Sequence, residues 1–378
     1  MINIICDGNY IFHKTFGIYG GYGDVDPSKV LKRKEDQASF IRKISTDLCY
    51  ALKSLPTGGR LVFAADRKSW RRDVEIEGGG YKSGRVRDVE SDWTIFYDLI
   101  KAFGTQVEKM GFIFSKVEGA EGDDLLLFWS EKFNELGENC IIITGDKDSH
   151  QLAKFVNGAW TAIWNNNSKN SVLTVPSGWS SDWLNAEEEV SIFSMGSSLD
   201  SDKDVLKTFL KKVSCETVDN KSFIFNKILS GDKGDSVPSV WNLQNGKVAR
   251  FTEKKAEQVH ELFVNTNWYS LPEIALFSNE EFLDWTSSMV LKTSKSVDNQ
   301  ANREKVKFNI KRNLVLMWLD RSVIPDFVKE GCEKELERGI ALEKRAISLD
   351  RIKILEGTNW VTPGYVPQQY DPFDQLIK

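Results

Sequence analysis

Three short apolar runs of the sequence each end at an aspartate. The runs and their aspartates are residues 2–6 with Asp7, residues 61–65 with Asp66, and residues 140–144 with Asp146. Mostly apolar runs of this length without alternation are typical of strands that are buried on both faces, as in a parallel sheet. The carboxyl ends of parallel strands share one edge, where ligands bind in such sheets. The sequence therefore predicts that the three carboxylates lie together at that edge.

Further acidic residues extend this set at a helix start, at the third strand end and far downstream. The candidate set is Asp7, Asp66, Glu121, Asp123, Asp124, Asp146, Asp148, Asp232 and Asp235. Each residue alone has a structural explanation, because acidic side chains cap helices and favour the first helical turn. Gathered together, they would raise one another's pKa unless cations neutralised them. Oxygen donors favour a hard divalent ion such as Mg²⁺, and clustered carboxylates suit a two-metal site for phosphoryl chemistry.

The segments between the apolar runs predict the helices that position these side chains. Ser39–Leu55 and Asp124–Leu136 carry apolar residues at helical spacing. Alternating strands and helices predict an α/β fold with a mostly parallel sheet flanked by helices. From about residue 185 the pattern becomes helical and charged, and after about residue 331 it loses its periodicity. Residues 67–92 are rich in basic side chains and contain Gly78–Gly80, which predicts an exposed, mobile basic excursion.

The composition and the residues of the motifs exclude several other classes of protein. The 378 residues are 41% hydrophobic and 28% charged, which is ordinary for a globular chain. The net charge of −5, taken globally, argues mildly against a nucleic-acid partner. Asp7 is followed by Gly8 and Asn9, so the second aspartate of a haloacid-dehalogenase-type phosphatase is missing. With no signal-peptide pattern and no run long enough for a membrane helix, we expect a cytoplasmic protein without a membrane partner.

The order and spelling of these motifs resemble the FEN-type 5′ nuclease family, which includes the 5′→3′ exonuclease domains of bacterial polymerase I, flap endonucleases and phage 5′ nucleases. Ile142–Asp148 is similar to the family's strand-end signature, and Glu121–Asp124 is similar to its Glu-x-Asp-Asp helix start. Gly231–Pro238 matches its Gly-Asp-x-x-Asp-x-x-Pro element. Arg321–Asp326 is similar to a late segment of the ribonuclease H branch found in T-even bacteriophages. The resemblance covers most of residues 1–330.

The resemblance implies a PIN-like catalytic domain over residues 1–185, with a helical arch or clamp inserted at 67–92. It also implies a helical DNA-binding domain over residues 186–330 with a helix–three-turn–helix-like motif, followed by a C-terminal extension over 331–378. In this family two metal ions position the attacking water and the scissile phosphate. The nine acidic residues would therefore hold two Mg²⁺ ions, for which Mn²⁺ is a candidate substitute.

Basic residues complete the site that the resemblance implies. Lys82 and Arg85 would contact the scissile phosphate as catalytic residues. The expected nucleic-acid contacts are Lys14, Arg71, Lys254 and Lys255. Residues 239–246 lack most of the glycines of the family's hairpin, so we expect binding of duplex DNA there without the monovalent ion.

The expected function is that of a monomeric, structure-specific 5′→3′ nuclease acting on DNA and on RNA–DNA hybrids with a 5′ end or flap. Its role would be primer removal on the lagging strand, in a bacterial host if the chain is phage-encoded. Two alternatives stay open, a PIN-type ribonuclease of single-stranded RNA and a non-catalytic nucleic-acid-binding replication factor. Residues 368–377 mix aromatic and acidic side chains and are a candidate peptide for a sliding clamp or a single-stranded-DNA-binding protein. Without the nine clustered carboxylates the net charge of −5 would be +4.

Overall fold

The computed structural model describes residues 2–18, 25–56, 58–76, 80–83, 92–166, 171–180, 199–244 and 248–342. The chain divides into two compact units. The first comprises Met1–Arg67, Val86–Thr217 and Glu330–Lys378, and the second comprises Lys68–Arg85 and Val218–Lys329. The predicted domain boundary at residue 185 lies outside the described residues and stays a prediction.

The first unit is built on an eight-stranded sheet. Its strands are β1 (Ile2–Asp7), β2 (Leu61–Ala64), β3 (Ile113–Ser115), β4 (Asn139–Ile143), β5 (Phe155–Val156), β6 (Ala159–Asn165), β7 (Val172–Pro176) and β8 (Ser214–Val218). Their order is β3-β2-β1-β4-β6-β7-β8, with β5 paired to β6. The pairings among β1, β2, β3, β4 and β6 are parallel, whereas β5 and β7 run antiparallel to β6. The three predicted strands and the mostly parallel sheet are confirmed.

The register of β1 with its neighbours sets the edge that carries the strand-end aspartates. Asp7 lies opposite Ala64 of β2, and Cys6 lies opposite Ile143 of β4. Asp66 and Asp146 therefore follow at the same carboxyl edge. The chain adds β2 and β3 on one side of β1 and β4 on the other, so the strand order reverses beside β1. Such a reversal is the usual ligand position in an open α/β sheet.

Helices flank the sheet of the first unit. They are α1 (Gly8–Ile18), α2 (Pro27–Val30), α3 (Lys34–Leu52), α4 (Thr94–Lys109), α5 (Gly122–Glu135) and α6 (Leu199–Leu210). Phe12, Phe40 and Phe96 of α1, α3 and α4 pack with Ile4 of β1 in one apolar cluster. Helix α5 packs against β1, β4 and β6. The predicted helices at 39–55 and 124–136 are confirmed as α3 and α5, with ends displaced by a few residues.

The second unit is mostly helical. It contains α7 (Asn220–Ser230), α8 (Glu253–Phe263), α9 (Glu273–Phe277), α10 (Glu280–Thr293) and α11 (Gln300–Met317). A short hairpin of β9 (Asn242–Gln244) and β10 (Val248–Arg250) lies between α7 and α8. The rings of Phe225 and Phe263 stack at 5.0 Å, and Phe282 joins them. The predicted class, an α/β sheet followed by a helical part, is confirmed.

The loss of periodicity that we expected after residue 331 is wrong. Helix α12 spans Asp326–Ala341, and Val328, Cys332 and Leu336 are buried along it at four-residue spacing. A Cβ atom at Gly339 would lie 2.4 Å from Cη2 of Trp129, so the indole packs directly on the helix backbone. Of the helices in the described part of the chain, none is both long and apolar enough to cross a membrane.

The described part of the predicted basic excursion is not an exposed loop throughout. A short 3-10 helix covers Trp70–Asp73, and Trp70, Arg71 and Tyr81 are buried. Burial of two aromatic rings explains the difference, since these rings give a charged segment its own apolar anchor. The segment Lys68–Arg85 belongs to the second unit, with α7 to α11.

Candidate active site

Asp7, at the end of β1, is the best buried of the three strand-end carboxylates, at 7% exposure. Its Oδ1 accepts a hydrogen bond from the Tyr10 amide at 3.0 Å, and its Oδ2 accepts one from the Thr144 hydroxyl at 2.7 Å. Burial raises the pKa of Asp7 to about 6, and repulsion from Asp66 and Asp146 acts in the same direction, against the two hydrogen bonds. The structure thus brings these three carboxylates within electrostatic reach of one another.

Thr144 connects two members of this cluster. Its hydroxyl donates to Asp7 and accepts from the Asp146 amide at 3.0 Å. Asp146 in turn begins the 3-10 helix Lys147–Leu152, where its Oδ1 accepts from the amide of half-buried Asp148 at 2.9 Å. Thr144 is not among the residues predicted for the site. Its signal is a hydroxyl placed directly before Gly-Asp at a strand end.

Asp66 contacts the start of α5. Its Oδ1 accepts from the Gly122 amide at 2.5 Å. A Cβ atom at residue 122 would lie 2.9 Å from that oxygen, so glycine allows the carboxylate to reach the helix terminus. A negative charge there complements the positive end of the helix dipole.

Glu121 and Asp124 form a capping box at the same terminus. Each side chain accepts from the backbone amide of the other residue, and the Asp124 contact measures 3.0 Å. Both carboxylates are buried. The structural explanation weighed for these two residues is therefore present in the fold. Asp123 lies between them, half-buried in the first turn of α5.

The strand-end carboxylates form a candidate site for a metal ion. Across the described ranges, no three carboxylate, imidazole or thiol groups are arranged to hold one as they stand. The donor chemistry nevertheless suits a hard divalent cation, because the groups at this edge are carboxylates. Burial, with a smaller contribution from the charges of Asp66 and Asp146, raises the pKa of Asp7, and a bound cation would favour its ionised form. Asp66 and Asp146 each accept an amide hydrogen bond through Oδ1, and a carboxylate that does so can coordinate a cation through its other oxygen.

Lys14 lies on α1, the helix that follows Asp7. Its ammonium donates to the Asn166 side chain at 2.9 Å and to the Tyr10 hydroxyl at 3.2 Å. Burial lowers the pKa of Lys14 from its usual value, and nearby Asp47 partly opposes this. The residue predicted to contact nucleic acid is therefore held against Tyr10.

The acidic loop after α7 is organised differently. Oδ1 of Asp232 accepts from the amides of Gly234 and Asp235 at 2.6 and 3.2 Å, and Oδ2 pairs with the Lys227 ammonium at 2.6 Å. Burial raises the pKa of Asp232. Lys227 and the two amides together lower it by more than burial raises it, so the pKa lies below its usual range. This carboxylate already has a cationic partner.

Asp235 contacts the segment that carries the predicted catalytic lysine. Its Oδ2 accepts from the Tyr81 hydroxyl at 3.0 Å, and its carbonyl accepts from the Lys82 amide at 2.7 Å. The second unit thus brings Asp232 and Asp235 together with Lys82. Arg85 lies outside the described residues.

The burial of Arg71 disagrees with its predicted contact to nucleic acid. It is 1% exposed, and its guanidinium lies 4.7 Å from the Trp70 ring centroid. Lys254 and Lys255 lie in the first turn of α8, where Lys254 is exposed. Amide groups at a helix start attract anions, which suits a phosphate contact by these two lysines.

Two buried polar residues of α11 were missed from the sequence. Asn313 donates to the carbonyls of Ile228 and Pro238, both at 2.9 Å, and accepts from the Arg312 guanidinium. These bonds hold both ends of the acidic loop. The available signal was an Arg-Asn pair among the apolar residues of a helix, because buried polar side chains are nearly always hydrogen-bonded.

Comparison with known proteins finds a similarity over the first part of the chain. Residues 3–175 match the family model described as the 5′-3′ exonuclease, N-terminal resolvase-like domain. A thermostable DNA polymerase I of Thermus aquaticus is 28% identical over 149 residues, which cover 39% of this chain and 16% of that protein. The chain thus spans about a sixth of the length of this curated relative.

Two solved structures of bacteriophage T5 proteins overlap most of the chain. A flap endonuclease in a complex with DNA and metal ions is 14% identical, with a TM-score of 0.48 over 90% of this chain and 100% of that chain. A 5′-exonuclease with bound zinc is 15% identical, with a TM-score of 0.47 over the same shares. Both scores lie below 0.5, so the assignment rests on the sequence matches. The resemblance drawn from the motifs is confirmed as a similarity: residues 3–175 are similar to the N-terminal, resolvase-like domain of the 5′-3′ exonuclease family.

Proposed function

We propose that this protein is a metal-dependent, structure-specific 5′→3′ nuclease that hydrolyses phosphodiester bonds in DNA and in RNA–DNA hybrids. Its substrates carry a 5′ end or flap, and its role is primer removal on the lagging strand. The observation that carries the proposal is the meeting of Asp7, Asp66 and Asp146 where the strand order reverses, inside the matched exonuclease domain. The raised pKa of Asp7 means that its ionised form destabilises the folded protein at neutral pH, and shifts of this kind are typical of functional sites.

The proposed ligands for two Mg²⁺ ions come from the nine acidic residues of the candidate set. When bound, such ions polarise a phosphate and make water a better nucleophile at neutral pH. Lys82 and Arg85 would stabilise the negative charge that develops on the phosphate. Lys14, Lys254 and Lys255 would hold the strand by contacts that weaken with salt. Buried Arg71 supports its own segment and is not proposed as a contact to the strand.

Cleavage of a 5′-labelled flap DNA and of a labelled RNA–DNA hybrid, each with Mg²⁺ and with EDTA, tests the proposal. Cleavage is expected only with the metal. Asp146→Asn should abolish turnover and leave DNA affinity largely intact, whereas Asp98→Asn, an exposed carboxylate of α4, should behave as the parent protein. Equal cleavage in EDTA, or none with Mg²⁺, would remove the two-metal proposal.

A further inference from the structure

The loop that follows α7 is fixed by buried polar groups of α11. Asn313 binds the carbonyls of Ile228 and Pro238, and Asn309 donates to the Val240 carbonyl at 3.0 Å. Arg312 donates to both asparagine side chains, so the three residues form one connected network. A satisfied buried network of this kind rigidifies the backbone that it binds. The acidic loop is therefore a firm support for whatever it contacts.

Asp235 is the contact point of that loop with residues 80–83. Its carbonyl holds the Lys82 amide, and its carboxylate holds the Tyr81 hydroxyl. Lys82 has φ of +58°, a left-handed conformation that residues other than glycine rarely adopt without support. The bond from Asp235 to the Lys82 amide supplies such support.

The side chain of Lys82 is oriented through the same carboxylate. Its ammonium lies 4.9 Å from the centroid of the Tyr81 ring, an attractive cation–π geometry. That ring packs with Val237, Leu316 and Met317, and its hydroxyl is bound by Asp235. Asp235 thus fixes both the backbone of Lys82 and the ring against which its ammonium lies.

We propose that Tyr81 and Asp235 are positioning residues for Lys82, and that Asp235 contributes to cleavage through this lysine. The inference rests on the proposed function, in which Lys82 contacts the scissile phosphate. A hydrogen bond to an ionised carboxylate is stronger and more directional than a neutral one, which suits a group that must hold a cation in place.

A double-mutant cycle separates this role from metal binding. Tyr81→Phe keeps the ring and its apolar contacts and removes only the hydroxyl. The single-turnover cleavage rate should fall roughly three- to tenfold, as expected for one lost charge-assisted hydrogen bond. The Kd for DNA and the Mg²⁺ midpoint should stay within about twofold. In a Lys82→Ala background the same substitution should have no further effect, because coupled residues are not additive.

Tyr50→Phe is the matched control, since Tyr50 is 81% exposed and lies in the first unit. If the effects of Tyr81→Phe and Lys82→Ala simply multiply, the positioning role is refuted.

Amide hydrogen exchange provides a readout that does not depend on cleavage. Exchange over residues 80–83 should quicken in Tyr81→Phe and stay unchanged in Tyr50→Phe. Unchanged exchange in Tyr81→Phe would overturn the inference even in an active enzyme. A parent protein that cleaves neither substrate would instead overturn the proposed function, and the exchange result would still decide the coupling.

Discussion

Removal of the charge of Asp7 should stabilise the metal-free protein while it abolishes cleavage. The pKa of this carboxyl rises from the ordinary 3.8 to about 6, with burial as the largest cause. At pH 7 this shift costs the folded state about 3 kcal/mol, because one pKa unit is worth about 1.4 kcal/mol. Asp7→Asn mimics the neutral carboxyl and keeps an acceptor for the Tyr10 amide. Its amide group meets the Thr144 hydroxyl less favourably, so we expect a net gain of about 1–3 kcal/mol.

The sign of the pH dependence follows from the direction of the shift. A carboxyl whose pKa is raised on folding ionises in the unfolded chain first, so the penalty grows as pH rises through the interval from about 4 to 6. The advantage of Asp7→Asn should therefore be largest at pH 7, about half as large near pH 5 and close to zero below pH 4.

Urea unfolding in EDTA at several pH values measures this advantage. The control is Asp298→Asn, because the hydrogen bond from Arg303, followed by that from Ser288, lowers the pKa of Asp298. A lowered pKa gives stability that is present at pH 7 and lost as pH falls, so this variant should be destabilised at pH 7 and approach the parent in acid. A gain for Asp7→Asn that is the same at pH 4 and pH 7, or a loss at pH 7, would refute the electrostatic reasoning.

Three further outcomes follow from the packing and the charges. Adding Mg²⁺ should raise the thermal midpoint of the parent protein but not that of Asp7→Asn, as read by differential scanning fluorimetry with Ca²⁺ as a comparison ion. Gly339→Ala should lower the free energy of unfolding by about 1–3 kcal/mol in urea, because its methyl group meets the Trp129 ring at 2.4 Å. Asn313→Ala should cost about 2–4 kcal/mol in the same assay, since it leaves the buried Ile228 carbonyl and the Arg312 guanidinium without this partner.

The elements of the first unit were predictable where apolar residues predominate along a whole element. Residues 2–6 and 140–144 are mostly apolar and do not alternate with polar residues, which is typical of a buried parallel strand. Helix α12 was missed because its buried face is formed by Val328, Cys332 and Leu336, with glycines where large neighbours pack. A helix face that contains cysteine and glycine shows little hydrophobic periodicity in the sequence, although these residues are closely packed in the structure.

The site was predictable in its residues and not in their partners. Sequence order alone brought Asp7, Asp66 and Asp146 to one edge, because parallel strands share an edge. Nothing in the sequence linked Tyr81 to Asp235, which lie 154 positions apart. Long-range side-chain pairs of this kind depend on how helices pack, and a motif that spans a few residues carries no such information.

The two acidic elements of the chain differ in how their charges are satisfied, which bears on what a metal would do at each. Asp7 is buried beside like charges, and its pKa is raised, so a cation would relieve a strain that the fold already carries. Asp232 is paired with Lys227 and two amides, and its pKa is lowered, so a cation would have to replace partners that it already has. The free energy gained by binding a metal should therefore be concentrated at the strand ends of the first unit. The loop of the second unit also holds the Lys82 amide and the Tyr81 hydroxyl through Asp235, so its charges serve contacts within the fold that the strand-end carboxylates do not make.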